Sequence, residues 1–443
     1  MTRLLAWQVL RSGAPVLSRE VNLAAEEVGL DRRDRAFLRR LVDTETRRRG
    51  TLQRIAKSFA RGNPNRDLTA HLRLGLAQLF FMDSVPDRAA VGEQVRAAAE
   101  SLGLSKGKYV NAVLRQVIRS SRKGHVDDPR RDLVGADRHF KEPIFSDPEE
   151  HPLLWFEDAL SMPAAIAKGW VKRHGLEEAR RLALDALGDP RVSLRVTRGI
   201  PADVFGELVA SGVDLTRGGH EAIATLAPGA LESLLGSAAF EEGRVTIQGE
   251  AALRAAELCR ARAGERWLDL CAAPGGKTAV LAGTGAEVTA CDVSPEKIER
   301  LMATCERLGV AGQVTAHVLE EDQAVEGEFD GVLLDVPCSN TGVLARRPEA
   351  RWRYGPQSRA SLREIQGALI ERGAARVRPG GVLVYSTCSL EPDENRQRVR
   401  AFLEANEGWS LEAEHEILPR SGEESGPVDG GFAARLVRTG SVS

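Results

Sequence analysis

The sequence lacks an apolar segment long enough to cross a membrane. Its longest stretch without a charged residue has 12 residues, whereas a membrane-spanning helix needs about 18 or more. Only seven residues lie between Arg3 and Arg11, and no small-residue cleavage site follows them, which argues against a secretory signal. We therefore expect a cytoplasmic protein that is not embedded in a membrane.

Cysteine is scarce and widely spaced. The six cysteines of the chain are Cys259, Cys271, Cys291, Cys305, Cys338 and Cys388. No two of them form a CxxC pair, and this spacing argues against both a disulfide framework and a zinc site. We expect reduced thiols, some of them reactive, and no bound metal.

Neither sign of charge dominates the 443 residues, whose formal net charge is −2, but the balance is uneven along the chain. Residues 1–125 contain 24 Lys or Arg and 12 Asp or Glu, a net charge of +12, which leaves −14 for the remainder. A basic block of this kind is typical of a nucleic-acid-binding surface, although a solvated helical face would have the same composition. A length of 443 residues indicates several domains.

Residues 1–125 are predicted to be all-helical, because apolar residues recur there at helical spacing. The segment KYVNAVLRQVIRSSRK is the clearest example. One side of this helix would be apolar, with Tyr109, Val110, Val113, Leu114 and Val117. The other side would be basic and is the candidate RNA-binding face, with Lys108, Arg115, Arg119 and Arg122.

The rest of the chain divides into three predicted regions. Residues 126–152 are rich in charge and proline and are predicted to be a linker. Residues 153–245 indicate a small α+β domain that binds RNA or connects its neighbours. From residue 246 to residue 443, short β-branched runs alternate with helical stretches, which predicts an α/β, Rossmann-like domain with a mostly parallel, doubly wound sheet.

A glycine-rich turn in WLDLCAAPGGKTAVLAG marks the first strand-to-helix junction of that domain. Gly275 and Gly276 allow close backbone approach, and Lys277 with the following helix N-terminus offers positive charge to an anionic group. Acidic residues follow the next three strands, where a carboxylate can hold a ribose diol at the sheet edge. They are Asp292, Asp322 and Asp335. This arrangement predicts a nucleoside cofactor, although each acid alone is more often a turn or cap residue.

Cys338 and Cys388 each follow a predicted strand of the same sheet and have Pro, Ser or Thr as neighbours. A lone cysteine is usually a small core residue, but two at matching strand ends beside a cofactor crevice favour chemistry. Methylation of cytosine at carbon 5 requires such a thiol, because the carbon becomes nucleophilic only after a thiolate attacks carbon 6. Asp335 is placed to hydrogen-bond nitrogen 3 of the ring and assist this attack.

Four segments of the C-terminal half resemble successive motifs of the NOL1/NOP2/Sun family of RNA cytosine-5 methyltransferases. They are LDLCAAPGGKT, ACDVSPEKIERL, LLDVPCSNTGVLARRPEARW and YSTCSLEPDEN. The N-terminal segments RDRAFLRRLV, HLRLGLAQLFF, AAVGEQVRAAAE and KYVNAVLRQVIR resemble the NusB RNA-binding domain. Together the two resemblances cover nearly all of the chain.

The resemblance implies methyl transfer from S-adenosylmethionine to a cytidine in RNA, above all in small-subunit ribosomal RNA or an assembling small subunit. We expect the enzyme to be a monomer. The resemblance also implies that Cys388, in the Thr-Cys-Ser motif, is the nucleophile and that Cys338 assists product release, with Asp335 as a further catalytic group. The implied cofactor-binding residues are Cys271, Ala272, Ala273, Pro274, Gly275, Gly276, Lys277, Asp292, Asp322 and Asp335.

Three residues depart from the family pattern. Asn340 replaces a small Gly or Ala and is expected to crowd the loop near the target base, whereas Gly249 replaces a common acid and Thr197 a common Asn. Two alternatives stay open at this point. One is the same chemistry on transfer RNA, and the other is an RNA-binding assembly factor that has lost catalysis, against which the presence of both cysteines argues.

Overall fold

The computed structural model describes residues 1–14, 16–319, 325–420 and 428–439. Contacts divide the chain into two compact units, Met1–Gly188 with Arg347–Tyr354, and Asp189–Arg346 with Gly355–Ser443. We call them unit 1 and unit 2. Neither unit is one continuous segment, because eight residues that follow the Cys338 loop in sequence belong to unit 1. Among the described residues, no helix has the length and apolar character that crossing a membrane requires.

Unit 1 is almost entirely helical, and its elements follow in this order. They are α1 (Thr2–Arg11), α2 (Leu17–Glu27), α3 (Arg32–Phe59), α4 (Arg66–Phe81), α5 (Asp87–Leu102), α6 (Leu104–Ser120), β1 (Ser121–Lys123), β2 (Arg138–Phe140), α7 (Pro152–Asp158), α8 (Ala164–His174) and α9 (Leu176–Asp185). Strands β1 and β2 form a short antiparallel pair. The prediction of a helical N-terminal region is confirmed, but the predicted helix through KYVNAVLRQVIRSSRK ends at Ser120, and its last residues, with Arg122, form β1.

Helix α6 divides into an apolar and a polar side as the sequence pattern predicts. Val110, Val113, Leu114 and Val117 are buried, while Tyr109 is half-buried and donates a hydrogen bond from its hydroxyl to the carbonyl of Arg61. Burial of four aliphatic side chains stabilises the helix by about 1.5–3 kcal/mol for each fully buried side chain. The opposite side of α6 is left to solvent.

Residues 126–152, predicted to be a linker, contribute to the core of unit 1. Leu133, Phe140, Ile144 and Phe145 are all buried, and the ring of Phe140 contacts Phe59, Phe80 and Phe145. The segment is dense in charge, but its few large apolar residues pack against the helices of unit 1, as the ring contacts of Phe140 with Phe59 and Phe80 show. The ranges 1–125, 153–245 and 246–443 stay predictions about independently folding domains.

The excursion of residues 347–354 is held in unit 1 by hydrogen bonds to backbone carbonyls. Arg351 is fully buried and donates to the carbonyls of Ser161 and Ala186 at 3.3 and 2.8 Å. The indole N–H of Trp352 donates to the carbonyl of Thr46 at 2.7 Å. Burial lowers the pKa of Arg351 to about 9, which shows how completely the guanidinium is removed from water.

Unit 2 begins with a small antiparallel sheet and continues into the large sheet. Its elements are β3 (Ser193–Val196), α10 (Pro201–Ala210), β4 (Leu215–Arg217), β5 (Ile223–Leu226), α11 (Leu231–Leu235), α12 (Ala238–Glu241), β6 (Val245–Ile247), α13 (Glu250–Glu257), β7 (Arg266–Asp269), α14 (Gly276–Gly283), β8 (Glu287–Asp292), α15 (Pro295–Arg307), a 3₁₀ turn (Ala311–Gln313), β9 (Val314–Val318), β10 (Phe329–Asp335), α17 (Pro356–Ala374), β11 (Val377–Thr387), α18 (Arg396–Ala405), β12 (Trp409–Ile417) and β13 (Gly431–Arg438), with α16 (Ala350–Arg353) in the excursion to unit 1.

The strand order of the large sheet is β12-β13-β11-β10-β7-β8-β9, and that of the small sheet is β4-β5-β3-β6. In the large sheet β11, β10, β7, β8 and β9 run parallel, and β13 and β12 add an antiparallel edge. The predicted α/β domain with a mostly parallel, doubly wound sheet is therefore confirmed. Because parallel strands end at the same edge, the loops after β7, β8, β10 and β11 meet there.

The core of unit 1 contains a buried histidine whose protonation opposes folding. His71 on α4 is fully buried, its ring nitrogens contact Ser101 and Gln94 at 2.8 Å each, and Trp7 stacks on it. Burial lowers the pKa of His71 to about 4. The native state therefore binds this proton less readily than the unfolded chain does.

We predict that unit 1 loses stability as the pH falls from about 6.5 to about 4, because only the unfolded state gains a proton on His71 in that window. At about 1.4 kcal/mol per pH unit, the free energy of unfolding falls by roughly 3 kcal/mol. Urea unfolding followed by tryptophan fluorescence would measure it. His71→Gln should flatten this dependence and His151→Gln, at an exposed site, should not; an unchanged slope in His71→Gln would refute the explanation.

Candidate active site

The glycine-rich turn after β7 brings backbone to the edge of the large sheet. Gly275 has a φ of 95°, a conformation that L side chains rarely adopt. A Cβ atom at Gly275 would also lie 2.9 Å from Cγ of Leu301. The backbone conformation and the close contact therefore both require glycine at position 275. Helix α14 begins at Gly276, and the first N–H groups of this helix have no partner within it.

Asp292 is the last residue of β8 and is buried at the sheet edge. Its Oδ1 accepts hydrogen bonds from the ammonium of Lys297 at 3.1 Å and from the backbone N–H of Ser294 at 3.3 Å. These two donors fix the position of the carboxylate. Asp322, the next acid in the predicted series, lies outside the described residues.

Lys277 points its ammonium to Asp335 at the end of β10. The Nζ to Oδ2 distance is 2.6 Å, and Asp335 Oδ1 accepts a hydrogen bond from Ser386 Oγ at 2.9 Å. Although burial alone would lower it, the pKa of Lys277 is raised, because Asp335 stabilises the charged ammonium. Two residues predicted to hold a cofactor therefore form an ion pair beside the cysteine loops.

The two predicted reactive thiols lie side by side. Cys338 Sγ and Cys388 Sγ are 3.1 Å apart, although 50 residues separate them, because β10 and β11 are neighbours whose register pairs Asp335 with Ser386. The pKa of Cys338 is raised well above its usual value, first by its hydrogen bond with Cys388 and second by burial. The pair holds one proton firmly on Cys338.

Asn340 hydrogen-bonds to both cysteine residues through its side-chain amide. Its φ is 59°, in the left-handed region where glycine is common and asparagine is tolerated. The amide donates to the carbonyl of Cys338 at 2.7 Å, and its oxygen accepts from Cys388 Sγ at 3.3 Å. The left-handed backbone conformation explains why the family pattern has a small residue at this position. Asn340 adopts the same conformation and adds side-chain contacts with both cysteines.

A hydrogen-bonded network that the sequence analysis missed ties the two cysteine loops together. Glu394 is fully buried and accepts from the N–H of Ser339 at 3.1 Å and from its hydroxyl at 2.5 Å. Thr341 Oγ1 accepts from the N–H of Leu390 at 2.9 Å, and the N–H of Gly342 donates to Cys388 O at 2.9 Å. The sequence signal was weak, since EPDEN is a charged stretch of ordinary appearance.

Asp269 is a second residue that the sequence analysis did not select. It ends β7, is fully buried, and accepts a hydrogen bond from Thr278 Oγ1 at 2.8 Å. Burial raises its pKa to about 7. The sequence signal that could have identified Asp269 is an acidic residue inside the apolar run WLDL. Burying a carboxyl group on a central strand is destabilising, so such a residue is a candidate for a functional role.

A pocket beside Cys388 has room for a flat ring. Its floor carries the ion pair of Lys277 and Asp335, and small residues of α13 and of the chain before β13 form its walls. It is lined by Gly249, Ala251, Ala252, Arg254, Ala255, Lys277, Asp335, Val343, Ser386, Thr387, Cys388, His415, Ile417, Asp429, Gly430, Gly431, Phe432 and Ala433. A Cβ atom at Gly249 would lie 3.3 Å from Oδ2 of Asp429, another residue of the lining. Among the described residues there is no His, Cys, Asp and Glu cluster that could hold a metal ion.

The candidate RNA-binding residues of unit 1 lie together on the solvent side of α6 and just after it. Lys108, Arg115, Arg119 and Arg122 are all exposed. Arg115 donates to the side-chain oxygen of Asn111, and Arg122 donates to backbone carbonyls of Arg119 and Ser121. None of the four pairs with a carboxylate within the described ranges, so their charges are available to a polyanion.

Comparisons with known proteins agree with this architecture. A family model described as 16S rRNA methyltransferase RsmB/F matches residues 256–425, and the NusB family model matches residues 2–119. The probable ribosomal RNA small subunit methyltransferase B of Bacillus subtilis is 30% identical over 348 residues, 75% of this chain and 71% of that protein. The corresponding Synechocystis protein is 30% identical over 413 residues, 88% of this chain and 86% of that protein.

Solved structures show the same fold. The crystal structure of PH0851 aligns with a TM-score of 0.73 at 23% identity, covering 98% of this chain and 97% of that one. A methyltransferase homolog protein from Pyrococcus horikoshii aligns with a TM-score of 0.54 at 24% identity, covering 66% and 100%. The sheet, the glycine-rich turn and the matches define a Rossmann-like methyltransferase preceded by a NusB domain. More narrowly, the chain belongs to the RsmB/F family of 16S rRNA methyltransferases.

S-adenosylmethionine is the cofactor of this methyltransferase, as the sequence predicts. The residues at the sheet edge fit it. Gly275 and Gly276 leave the backbone of the turn accessible, Asp292 presents a carboxylate of the kind that accepts ribose hydroxyls, and the buried amide nitrogen of Gln248 has no partner among the described residues. Which side chains contact the cofactor stays a prediction.

We predict that Asp292→Ala weakens S-adenosylmethionine binding by about one to two orders of magnitude, because a charged acceptor for a ribose hydroxyl is lost, a hydrogen bond worth about 1.5–3 kcal/mol. Calorimetric titration measures the affinity. Lys297→Met is the matched control, since it removes the ion-pair partner of Asp292 and keeps the acceptor. Wild-type affinity in a folded Asp292→Ala protein would reduce Asp292 to a structural role.

Proposed function

We propose that this methyltransferase transfers the methyl group of S-adenosylmethionine to carbon 5 of a cytidine in small-subunit ribosomal RNA, through a covalent bond between Cys388 and carbon 6. The observation that carries the proposal is the pair of thiols, 3.1 Å apart, of which Cys388 faces the base pocket. Nucleophilic addition at carbon 6 is the step that makes carbon 5 reactive, and a thiolate is the group best suited to it.

The residues around the pocket take distinct roles in this mechanism. Cys388 attacks carbon 6 as a thiolate, while the raised pKa of Cys338 keeps the neighbouring thiol protonated during the attack. The ion pair of Lys277 and Asp335 lies on the pocket floor, where its hydrogen-bonding atoms reach the ring edge at nitrogen 3 and favour the negative charge that develops there. S-adenosylmethionine supplies an electrophilic methyl group to carbon 5.

Cys338 is suited to the release step because its surroundings change during the reaction. Its high pKa arises first from the neighbouring Cys388. Once Cys388 is bonded to carbon 6, that sulfur no longer carries a negative charge or accepts a hydrogen bond in the same way. Cys338 then gives up its own proton to water, and its thiolate removes the proton from carbon 5. The electron pair of that C–H bond re-forms the double bond between carbons 5 and 6, and the bond between carbon 6 and sulfur breaks to return Cys388 as a thiolate.

We predict opposite outcomes for the two cysteines. Cys388→Ala should abolish both methylation and any covalent adduct with RNA, whereas Cys338→Ala should permit attack and methylation but retain the RNA, giving a slowly migrating species in denaturing gels. Cys305→Ala, which removes a core thiol on α15, is the matched control and should behave as wild type. Adduct trapped by Cys388→Ala and lost with Cys338→Ala would reverse the two roles.

The same variants identify the substrate if bisulfite sequencing is applied to ribosomal and transfer RNA from a deletion strain complemented with each of them. A signal in small-subunit ribosomal RNA that wild type restores and Cys388→Ala does not would support the proposal. Restoration in transfer RNA instead would keep the chemistry and change the substrate, and restoration by Cys388→Ala would contradict the covalent mechanism. A paired cytosine hides carbon 6 in its stack, so the target base is expected to be unpaired or flipped out.

We further propose that the basic face of α6 binds RNA through phosphate contacts, with the protein acting as a monomer. The double variant Arg115→Glu/Arg119→Glu should weaken RNA binding and reduce the slope of log affinity against log salt by about 1.5, since each lost contact removes roughly 0.7–0.9. Filter binding over a salt series measures both. The variant Lys168→Glu/Lys172→Glu makes the same charge change on α8 and should retain the wild-type slope. If both double variants reduced the slope equally, RNA binding would depend on the net charge of the protein and not on the basic face of α6.

A further inference from the structure

Lys277, the residue that the sequence placed beside an anionic cofactor group, has its charge engaged elsewhere. Its ammonium pairs with Asp335 at 2.6 Å beside the cysteines. S-adenosylmethionine carries one anionic group, the carboxylate of its methionyl part. With the ammonium of Lys277 held at Asp335, the first N–H groups of α14 and the polar side chains next to them are the other donors that can meet that carboxylate.

Gln248 lies against this helix N-terminus and has an unused donor. It follows β6 directly and is 6% exposed. Its Nε2 atom is buried without a hydrogen-bond partner among the described residues. A Cβ atom built on Gly276 would lie 3.4 Å from this nitrogen, closer than to any other atom of the side chain. A buried amide N–H without a partner is destabilising unless a ligand accepts its hydrogen bond.

The orientation of the Gln248 amide is fixed by its other end. Arg195 on β3 donates from Nε to Gln248 Oε1 at 2.5 Å, and a guanidinium has no acceptor that an amide NH₂ group could use. The backbone is fixed as well, because the N–H of Gln248 donates to the carbonyl of Ser193 at 3.1 Å. The amide oxygen must face Arg195, and the NH₂ group must face the turn.

We propose that Gln248, oriented by Arg195, donates a hydrogen bond to the carboxylate of S-adenosylmethionine and so forms an anion subsite with the first N–H groups of α14. Gln248 is the binding residue of this subsite, and Arg195 is a positioning residue. The small antiparallel sheet thereby contributes to cofactor binding, in addition to the glycine-rich turn and the acidic residues at the strand ends. The assignment depends on the cofactor and is independent of the RNA substrate.

The test compares two ligands that differ by the carboxylate alone, S-adenosylmethionine and decarboxylated S-adenosylmethionine, by calorimetric titration of the full chain. Gln248→Ala should weaken binding of S-adenosylmethionine by about tenfold or more and change binding of the decarboxylated ligand less than twofold. The readout is the ratio of the two affinities, which a uniform loss of folded protein does not alter.

Gln248→Glu sharpens the comparison, because it keeps the bulk and the acceptor for Arg195 but places negative charge at the subsite. Gln248→Glu should lower the affinity for S-adenosylmethionine, relative to that for the decarboxylated ligand, further than Gln248→Ala does. It also provides the test if the alanine variant does not fold. Gln366→Ala removes a buried glutamine whose amide already donates to the carbonyl of Pro337 at 2.9 Å, and it should leave the ratio unchanged. An unchanged ratio in both Gln248 variants, including an equal loss for the two ligands, would overturn the proposal.

Discussion

The parallel pairing of β10 with β11 is the constraint on which the site depends. Each strand alone ends in a loop with a cysteine, and nothing local in either loop brings the two thiols together. The register that sets Asp335 opposite Ser386 also places the residues that follow them side by side. The hydroxyls of Ser339 and Thr341 and the carboxyl of Glu394 then hold the loops in contact. A slip of one residue would turn every side chain on one strand to the other face of the sheet.

The two cysteines of the pair lie in different surroundings. Cys338 is buried whereas Cys388 is half-buried, and the hydrogen bond with Cys388, followed by burial, raises the pKa of Cys338. The nearby ion pair between Lys277 and Asp335 keeps a cation close to the thiols at little cost, because the carboxylate compensates most of its charge. Both members line the pocket beside Cys388, where the Lys277 side chain is 15% and the Asp335 side chain 38% exposed.

The sequence predicted the features that repeat along a strand or helix and the residues that end a strand. The apolar side of α6, the parallel sheet, and the location of Asp292, Asp335, Cys338 and Cys388 at one edge all follow from periodicity and topology. Pairing between side chains from different loops has no such signal. The engagement of Lys277 by Asp335, the bracing by Glu394 and the orphaned amide of Gln248 depend on distances that only the folded chain sets.

The eight residues of the excursion determine when unit 1 can gain its last contacts during synthesis. Arg351 and Trp352 occupy acceptors on Ser161, Ala186 and Thr46, so unit 1 completes its packing only after residue 354 has left the ribosome. By then more than half of unit 2 has already been synthesised. The contacts of Arg351 and Trp352 are therefore the last that unit 1 gains during synthesis, although its segment Met1–Gly188 is made first.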